Sequence, residues 1–174
     1  MRPPKVVRFV LRELIMPLVL AVVLALTIQA TVAKPYEIPT ASMDPTIQPS
    51  DRVLTNRFIY HFRDVHRGDI IVFDPPEFLH SDVPFVKRVI GVPGDTVEVK
   101  DRTVYVNGRP FDVAGAAQPK YRYGPVTVPQ ERLFVLGDNR NNSVDSHEWD
   151  FLSRDAVKGE VFMIYWPLAR LRVF

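Results

Sequence analysis

Cysteine is absent from this 174-residue sequence, and glycine is scarce. Without cysteine the chain can form no disulfide framework, no thiolate zinc site and no cysteine nucleophile. An extracytoplasmic location stays open, because a chain of this length can bury a sizeable core without covalent cross-links. Sixteen prolines against eight glycines argue against a mostly helical protein. Proline breaks helix interiors, so this composition favours short strands joined by stiff turns.

Strong net charge is also lacking, and the small surplus is unevenly distributed. The formal net charge is only +2. Residues 1–14 contain four basic side chains and one acidic side chain, so the rest of the chain is nearly neutral. A nucleic-acid-binding domain needs basic side chains clustered on its folded surface. We therefore expect no nucleic-acid partner.

An uncharged apolar segment covers residues 15–33, with only three polar side chains in it. Its length reaches that of a membrane-spanning helix. Four basic residues precede the segment and Lys34 alone follows it directly, which by the positive-inside rule places the N-terminus in the cytoplasm. We predict a cytoplasmic basic segment over 1–14, a single transmembrane helix over 15–33 and an extracytoplasmic catalytic domain over 34–174 at the cell membrane.

Two other interpretations of residues 15–33 stay open. A cleaved secretory signal would use Thr31-Val32-Ala33 as its cleavage site, although the apolar part of such a signal is usually only about 7–15 residues long. In that case the globular part is still extracytoplasmic. A buried core helix would show a polar face, which this segment lacks.

Residues 34–174 have the pattern of an antiparallel β domain. Short β-branched or aromatic runs bounded by Pro, Gly or Asp predict strands, and alternation of apolar and polar residues predicts a hairpin with one buried face. Residues 109–130 are rich in Pro, Gly and Ala and predict a small irregular excursion. The predicted strands are 52–56, 69–73, 85–90, 96–100, 103–106, 132–136 and 160–166. The sequence therefore predicts a mainly β fold.

Residues 38–46 are the first candidate segment for chemistry. Two prolines hold the segment extended or turned, and small residues leave its backbone open to close approach. Ser42 lacks the Gly-x-Ser-x-Gly motif of the α/β-hydrolases, so by itself it is a weak indication of a nucleophile. A proline-rich linker is the alternative interpretation.

A serine nucleophile needs a base, and we predict solvated loop positions for all four histidines, His61, His66, His80 and His147. Lys87 differs because it lies in an apolar strand, where alternation points it to the same face as Phe85 and Val89. Desolvation lowers the pKa of a lysine and makes its neutral amine available as a base. Serine–lysine pairs are an established variant of the catalytic triad. The alternative is a lysine that reaches out of an edge strand into solvent.

Residues 136–146 are dense in short hydrogen-bonding side chains. Such side chains cap their own turns, so the interpretation without a functional role is a polar loop. The functional interpretation is a scaffold that orients the lysine and braces the segment that carries Ser42.

Four sequence motifs together resemble those of the type I signal peptidases, membrane-anchored serine proteases that remove signal peptides from exported preproteins. They are, in order, PTASMDPT at 39–46, RGDIIVF at 67–73, FVKRVIGVPGD at 85–95 and GDNRNNSVDS at 137–146. The resemblance covers most of the chain after the apolar segment. It implies a signal-peptidase-like antiparallel β domain and cleavage after small residues, of the Ala-x-Ala type, through an acyl-enzyme.

The same resemblance implies a role for each site residue. Ser42 is the nucleophile, and Lys87 is the general base that later protonates the leaving amine. The Thr40 hydroxyl and the Ser42 N–H form the oxyanion hole, while Ser143 orients the lysine and Asp145 braces the loop. The substrate pockets are expected to be formed by Ile38, Met43, Phe85 and Val86, with Tyr36, Val53 and Val72 in the second pocket.

Three positions depart from the family pattern. Asn141 stands where aspartate is frequent, His147 where arginine is common, and Asp150 where glycine is usual. An imidazole cannot give the permanent bidentate pairing that a guanidinium gives to a carboxylate such as Asp145. The departures leave Ser42 and Lys87 intact, and they bear on the rigidity of the bracing loop and on the pH range.

The expected partners are preprotein signal peptides, the lipid bilayer and, by proximity, the secretion machinery. The sequence contains no metal or nucleotide motif, so we expect no cofactor. Self-cleaving repressors of the damage response share the serine–lysine β fold, but they are soluble and carry a DNA-binding domain for which this chain leaves no room. A membrane-anchored peptide-binding module with a vestigial dyad is the other alternative. The intact Ser42 and Lys87 argue against it, since a binder needs no desolvated lysine.

Overall fold

The computed structural model describes the backbone of residues 9 and 11–174, and the side chains of all of these except residues 11 and 25–32. The chain divides into two compact units, Met1–Lys34 and Pro35–Phe174. Most of the predicted basic segment, residues 1–14, lies outside the described residues.

One long helix occupies the first unit. A π-helical turn at Leu11–Ile15 leads into α1 (Met16–Val32), and the chain becomes extended at β1 (Ala33–Glu37). The sequence predicts a transmembrane helix over 15–33, but within residues 9 and 11–174 no helix is both long enough and apolar enough to cross a membrane.

The second unit consists mainly of antiparallel sheets. The strands after β1 are β2 (Arg52–Asn56), β3 (Ile70–Phe73), β4 (Phe85–Gly91), β5 (Thr96–Lys100), β6 (Thr103–Val106), β7 (Arg109–Pro110), β8 (Tyr123–Thr127), β9 (Arg132–Leu136), β10 (Leu152–Ser153), β11 (Val157–Trp166) and β12 (Arg172–Val173). A short helix, α2 (Ser146–Trp149), lies between β9 and β10. The predicted mainly β class is confirmed.

These strands form two sheets. The larger sheet has the order β1-β2-β11-β3-β4-β9-β10, with β12 paired to β11, and the smaller has the order β7-β6-β5-β8. Every pairing from β2 to β10 in the larger sheet is antiparallel, as are the pairings in the smaller sheet. All seven predicted strands are present. β11 begins three residues earlier than predicted, at residues that include a lysine and a glycine of low β-propensity.

Both faces of the larger sheet are buried at β3. Its side chains alternate between faces, so Ile70 and Val72 enter one apolar cluster while Ile71 and Phe73 enter another. All four residues are buried. The first cluster also contains Met43, which is fully buried and fixes the segment that carries Ser42 to the sheet.

Residues 109–130 contain more regular structure than the sequence predicts. They include β7 and β8, and β8 pairs only with β5 at the edge of the smaller sheet, where proline is tolerated. Gly124 in β8 has φ +74°, and a β-carbon there would meet the backbone oxygen of Val97 and the backbone nitrogen of Val126. The Gly and Pro residues of β8 are untypical of a strand, so the sequence did not predict β8, but they are compatible with its position at the edge of the sheet.

Replacement of Phe134 by alanine should lower the free energy of unfolding by about 3–5 kcal/mol, because the side chain is fully buried and its removal leaves a cavity. Phe62, which is 83% exposed, provides the matched control, and Phe62→Ala should change stability by no more than about 0.5 kcal/mol. Denaturant unfolding of the full chain in detergent, followed by circular dichroism, measures both. Similar losses in the two variants would contradict the assigned core.

Candidate active site

Ser42 and Lys87 lie in direct contact. The Lys87 Nζ donates a hydrogen bond to the Ser42 Oγ at 2.7 Å. Lys87 lies in β4, whose pairing with β3 is regular from Ile70 to Phe73 and holds the lysine in register. The structure therefore brings together a hydroxyl and an amine that the sequence separates by 45 residues.

Burial sets the state of the Lys87 amine. The residue is only 3% exposed, and its Nζ lies 5.2 Å from the centre of the Phe85 ring. Desolvation lowers the pKa of Lys87 to about 8, while the charge of Asp145 acts in the opposite direction. Within the described residues no carboxylate lies close enough to form an ion pair with Lys87. The alternative of a lysine that reaches into solvent does not fit this burial.

The surroundings of the Ser42 hydroxyl include a second hydroxyl. The Thr40 Oγ1 lies 3.3 Å from the Ser42 Oγ. In the part of the chain that the structure describes, no acceptor takes a hydrogen bond from the Ser42 backbone N–H. The Thr40 hydroxyl and the Ser42 N–H belong to a segment that lines an open cavity. They are donors that could meet an oxygen carrying developing negative charge.

Residues 137–146 pack directly against the backbone of the Ser42 segment. The Asn139 N–H donates to the Ser42 carbonyl oxygen, and the Asn139 side-chain amide donates to the Ala41 carbonyl oxygen, each at 3.1 Å. Gly137 has no room for a side chain, because a β-carbon there would overlap the Ser42 carbonyl oxygen and the Ser143 hydroxyl. The approach of the two segments is therefore as close as glycine allows.

A buried ion pair joins the same two segments to β4. Both oxygens of Asp138 accept hydrogen bonds from the Arg88 guanidinium, at 2.8 and 2.7 Å, and the Thr46 hydroxyl donates to one of them at 2.5 Å. Asp138 is fully buried. The sequence analysis assigned no role to these three residues, although Arg88 directly follows Lys87 and projects to the opposite face.

The two predicted bracing residues differ in their contacts. Asp145 is fully buried and accepts hydrogen bonds from the Gly137 N–H at 2.8 Å and from the His147 Nδ1 at 2.6 Å. The Ser143 hydroxyl is buried, but in the described part of the chain it forms no hydrogen bond, so the expected bond to Lys87 is absent here. Ser143 nevertheless lines the same cavity as Ser42 and Lys87.

Each of the three departures from the family pattern makes a specific contact. The Asn141 side chain donates to the Gln118 carbonyl oxygen and accepts from the Lys120 N–H, which fastens the excursion to this loop. The Asp150 carboxylate accepts from the Tyr123 hydroxyl at 2.6 Å. His147 pairs with Asp145, so the prediction that this histidine is a solvated loop residue is wrong. Two signs pointed to the pairing, the two-residue spacing and the arginine that is common at position 147 in the family pattern.

A cavity of about 640 Å³ opens onto the Ser42–Lys87 contact. One wall comes from the segment around Ser42 and the other from residues 81–87. Of the predicted pocket residues, the cavity is lined by Tyr36, Ile38, Met43, Phe85 and Val86. Val53 and Val72 do not line it, because both are fully buried in the apolar cluster beneath these residues. Four further lining residues were not predicted as part of the substrate site: Asn142, Val144, His147 and Glu148. Among the described residues, no group of three or more His, Asp or Glu side chains is placed to hold a metal ion.

Residues 11–166 match the family model described as "Signal peptidase, peptidase S26". A probable signal peptidase I-2 of Synechocystis sp. is 46% identical over 80% of this chain and 66% of its own length. A signal peptidase I of Leptolyngbya laminosa is 44% identical over 80% of this chain and 72% of its own length. The crystal structure of a signal peptidase I from Enterococcus faecalis V583 aligns with 56% of this chain and 97% of that chain, at 32% identity and a TM-score of 0.47. The chain belongs to the signal peptidase family, peptidase S26, and is a serine endopeptidase.

Proposed function

We propose that this endopeptidase cleaves signal peptides from preproteins, with Ser42 as its nucleophile and Lys87 as its general base. The observation that carries the proposal is the 2.7 Å hydrogen bond between a serine hydroxyl and a lysine amine whose pKa burial lowers to about 8. A neutral amine at this distance can accept the hydroxyl proton as the oxygen attacks. Family membership and the relatives named signal peptidase I support the substrate class.

The proposed reaction has two halves. The Ser42 Oγ attacks the scissile carbonyl carbon while its proton passes to the Lys87 Nζ. The Thr40 hydroxyl and the Ser42 N–H stabilise the oxyanion, and removal of one such donor typically lowers the rate about 100- to 1000-fold. The ammonium of Lys87 then protonates the leaving nitrogen, which breaks the peptide bond and leaves an acyl-enzyme. In the second half Lys87 takes a proton from a water molecule, whose oxygen attacks the ester carbonyl carbon. The bond from that carbon to the Ser42 Oγ then breaks, the Lys87 ammonium returns the proton to the Oγ, and the signal peptide leaves with a new carboxyl end.

Ser143 and Asp145 act through Lys87 and the loop in this proposal. Asp145 holds the Gly137 N–H and thereby fixes the loop that abuts the Ser42 carbonyl. Ser143 lines the same cavity as Lys87, and its buried hydroxyl has no hydrogen-bond partner in the described part of the chain, so in this proposal it is the group that orients the Lys87 amine. Both are positioning residues.

The cavity walls suit the extended end of a signal peptide. Tyr36 lies in β1, an edge strand of the larger sheet, so a peptide can bind by strand addition between β1 and residues 81–85. Ile38, Met43 and Val86 are buried residues of one cluster and leave only shallow space beside Ser42. Small side chains, as in Ala-x-Ala ends, fit such pockets.

Attachment to a membrane is the further part of the proposal. Large apolar side chains of α1 are exposed in the first unit, among them Leu18, Leu20 and Leu24 at 58–69%. Burial of such a surface in a bilayer removes it from water. In this proposal the N-terminus is cytoplasmic and residues 35–174 face outward, where the enzyme and the apolar part of its substrate share one membrane.

Ser42→Ala and Lys87→Met should each lower preprotein cleavage in detergent at least about 1000-fold, because each removes one member of the dyad. Wild-type kcat/KM should rise with pH to a plateau above about 8, since only the neutral Lys87 amine accepts a proton. Ser153→Ala and Lys100→Met, which lie outside the cavity, provide matched controls with unchanged activity. Activity retained in either dyad variant would contradict the assignment and favour a different nucleophile or base.

Tight peptide binding without cleavage by the wild type would favour the alternative of a peptide-binding module with a vestigial dyad.

Lys87→Met should make the inactive protein more stable than the wild type at neutral pH. Burial lowers the pKa of Lys87 from 10.5 to about 8. Below about pH 8 the lysine is protonated in both the folded and the unfolded state, and there the lowered pKa corresponds to a loss of about 3 kcal/mol in the free energy of unfolding. Between pH 8 and pH 10.5 the unfolded state binds more protons, so wild-type stability should rise and the difference should disappear. Denaturant unfolding at several pH values measures it, with exposed Lys100→Met as control. A destabilised Lys87→Met at pH 7 would contradict the desolvation argument.

The full chain should stay with membranes after carbonate extraction, and external protease should digest residues 35–174. Leu20→Arg places a charge in α1 and should release much of the chain, because a central arginine opposes insertion by about 2.5–3.5 kcal/mol. Leu168→Arg is the matched control, since Leu168 is as exposed as Leu20 but belongs to the second unit. A soluble product lacking the first 33 residues would instead establish the cleaved-signal interpretation.

A further inference from the structure

His147 is held between a carboxylate and an aromatic ring. Its Nδ1 lies 2.6 Å from an Asp145 oxygen, and its backbone N–H donates to the same oxygen at 3.2 Å. The Tyr121 ring stacks on the imidazole, with centroids 4.1 Å apart and planes inclined by 16°. The His147 side chain is 18% exposed, while the Asp145 side chain is fully buried. The hydrogen bond to Asp145 and the stacking on Tyr121 therefore fix the orientation of the ring.

The charged groups around the imidazole favour its protonated form. Glu148, on the same helix, lies 3.7 Å from the His147 Nε2, and the hydroxyl of Tyr121 is buried without a hydrogen bond in the described part of the chain. Arg140 is the cation whose field reaches Tyr121 and Asp145 from the loop side. The hydrogen bond to Asp145 raises the pKa of His147 above its ordinary value, and the charges of Asp145 and Glu148 add to the effect.

Asp145 links this histidine to the catalytic amine. The negative charge of Asp145 favours the ammonium form of Lys87 and so opposes the desolvation that makes Lys87 a base. His147 and Lys87 also line the same cavity. A positive charge on His147 would cancel much of the field that Asp145 exerts on Lys87.

We propose that His147 is a positioning residue whose imidazolium fixes Asp145 and shields the Lys87 amine from the carboxylate charge. The proposal rests on the proposed function of Lys87 as general base. A guanidinium at position 147 would shield at every pH, whereas the imidazole shields only while protonated. This chain therefore couples the basicity of Lys87 to the protonation of a second group, and loses part of the shielding as the pH rises through the titration of His147.

The apparent pKa of kcat/KM in His147 variants tests this coupling. His147→Arg keeps a permanent cation beside Asp145, so the apparent pKa should fall by about half a unit or more relative to the wild type. His147→Gln can still donate a hydrogen bond but carries no charge, so its apparent pKa should lie above that of the wild type by whatever shielding the histidine still provides at that pH. His61→Gln, at an exposed histidine outside the cavity, is the matched control and should leave the profile unchanged.

The order of the three apparent pKa values distinguishes the outcomes. A value for His147→Arg below that of the wild type, and a value for His147→Gln above it, would support the proposal. Equal apparent pKa values with lower rates in both variants would overturn it and leave His147 a purely structural residue. Should His147→Gln fail to fold, His147→Arg alone must still shift the profile toward acid. Failure of the proposed function is separate, because it requires that Ser42→Ala or Lys87→Met stay active.

Discussion

The proposed use of the hydrogen bond between the Lys87 amine and the Ser42 hydroxyl depends on one constraint, which is that the amine is shielded from water. An exposed lysine near neutral pH is an ammonium ion and cannot accept a proton from serine. β3 and β4 keep water away, because their paired apolar residues cover the stem of Lys87 and the Phe85 ring lies beside its amine. Burying this cation opposes folding. The large apolar clusters on both faces of the sheet supply the stability that makes such a destabilising group tolerable.

A desolvated Lys87 amine can accept a proton from Ser42 only if the Ser42 hydroxyl is held within hydrogen-bonding distance. The loop at 137–146 holds the segment that carries Ser42 in place. Gly137 lets the loop touch the Ser42 carbonyl, and Asn139 bonds to the backbone there. The Arg88–Asp138 pair then locks the loop to the strand that carries Lys87, with Thr46 joining from the serine segment. Ser42, Lys87 and the loop thus belong to one network of contacts. Removing one partner of such a buried pair leaves an uncompensated charge and strongly destabilises the fold.

The strands were predictable because they depend on local patterns, and the contact between Ser42 and Lys87 joins two residues that the sequence had already made candidates. Short apolar runs bounded by turn residues identified seven strands, and a lysine inside one of them identified Lys87. The contacts that cross the fold were not predictable. Arg88 and Asp138 are 50 residues apart, and nothing in either segment specifies the other. His147 resembled an ordinary loop histidine, because the Tyr121 ring that stacks on it is 26 residues away in the sequence and only folding brings the two together. β8 was missed since its Gly-Pro pair is compatible with a strand only at a sheet edge.

Direct titration of the Lys87 amine tests the central claim most directly. The full chain, labelled with ¹³C at the lysine ε-carbons, can be followed by NMR across pH 6 to 12, with the Lys87 signal assigned by its absence from Lys87→Met. Burial predicts a midpoint near pH 8, well below the other lysines. A midpoint near the ordinary 10.5 would show that water reaches the amine, and Lys87 could then not serve as the base that Ser42 requires.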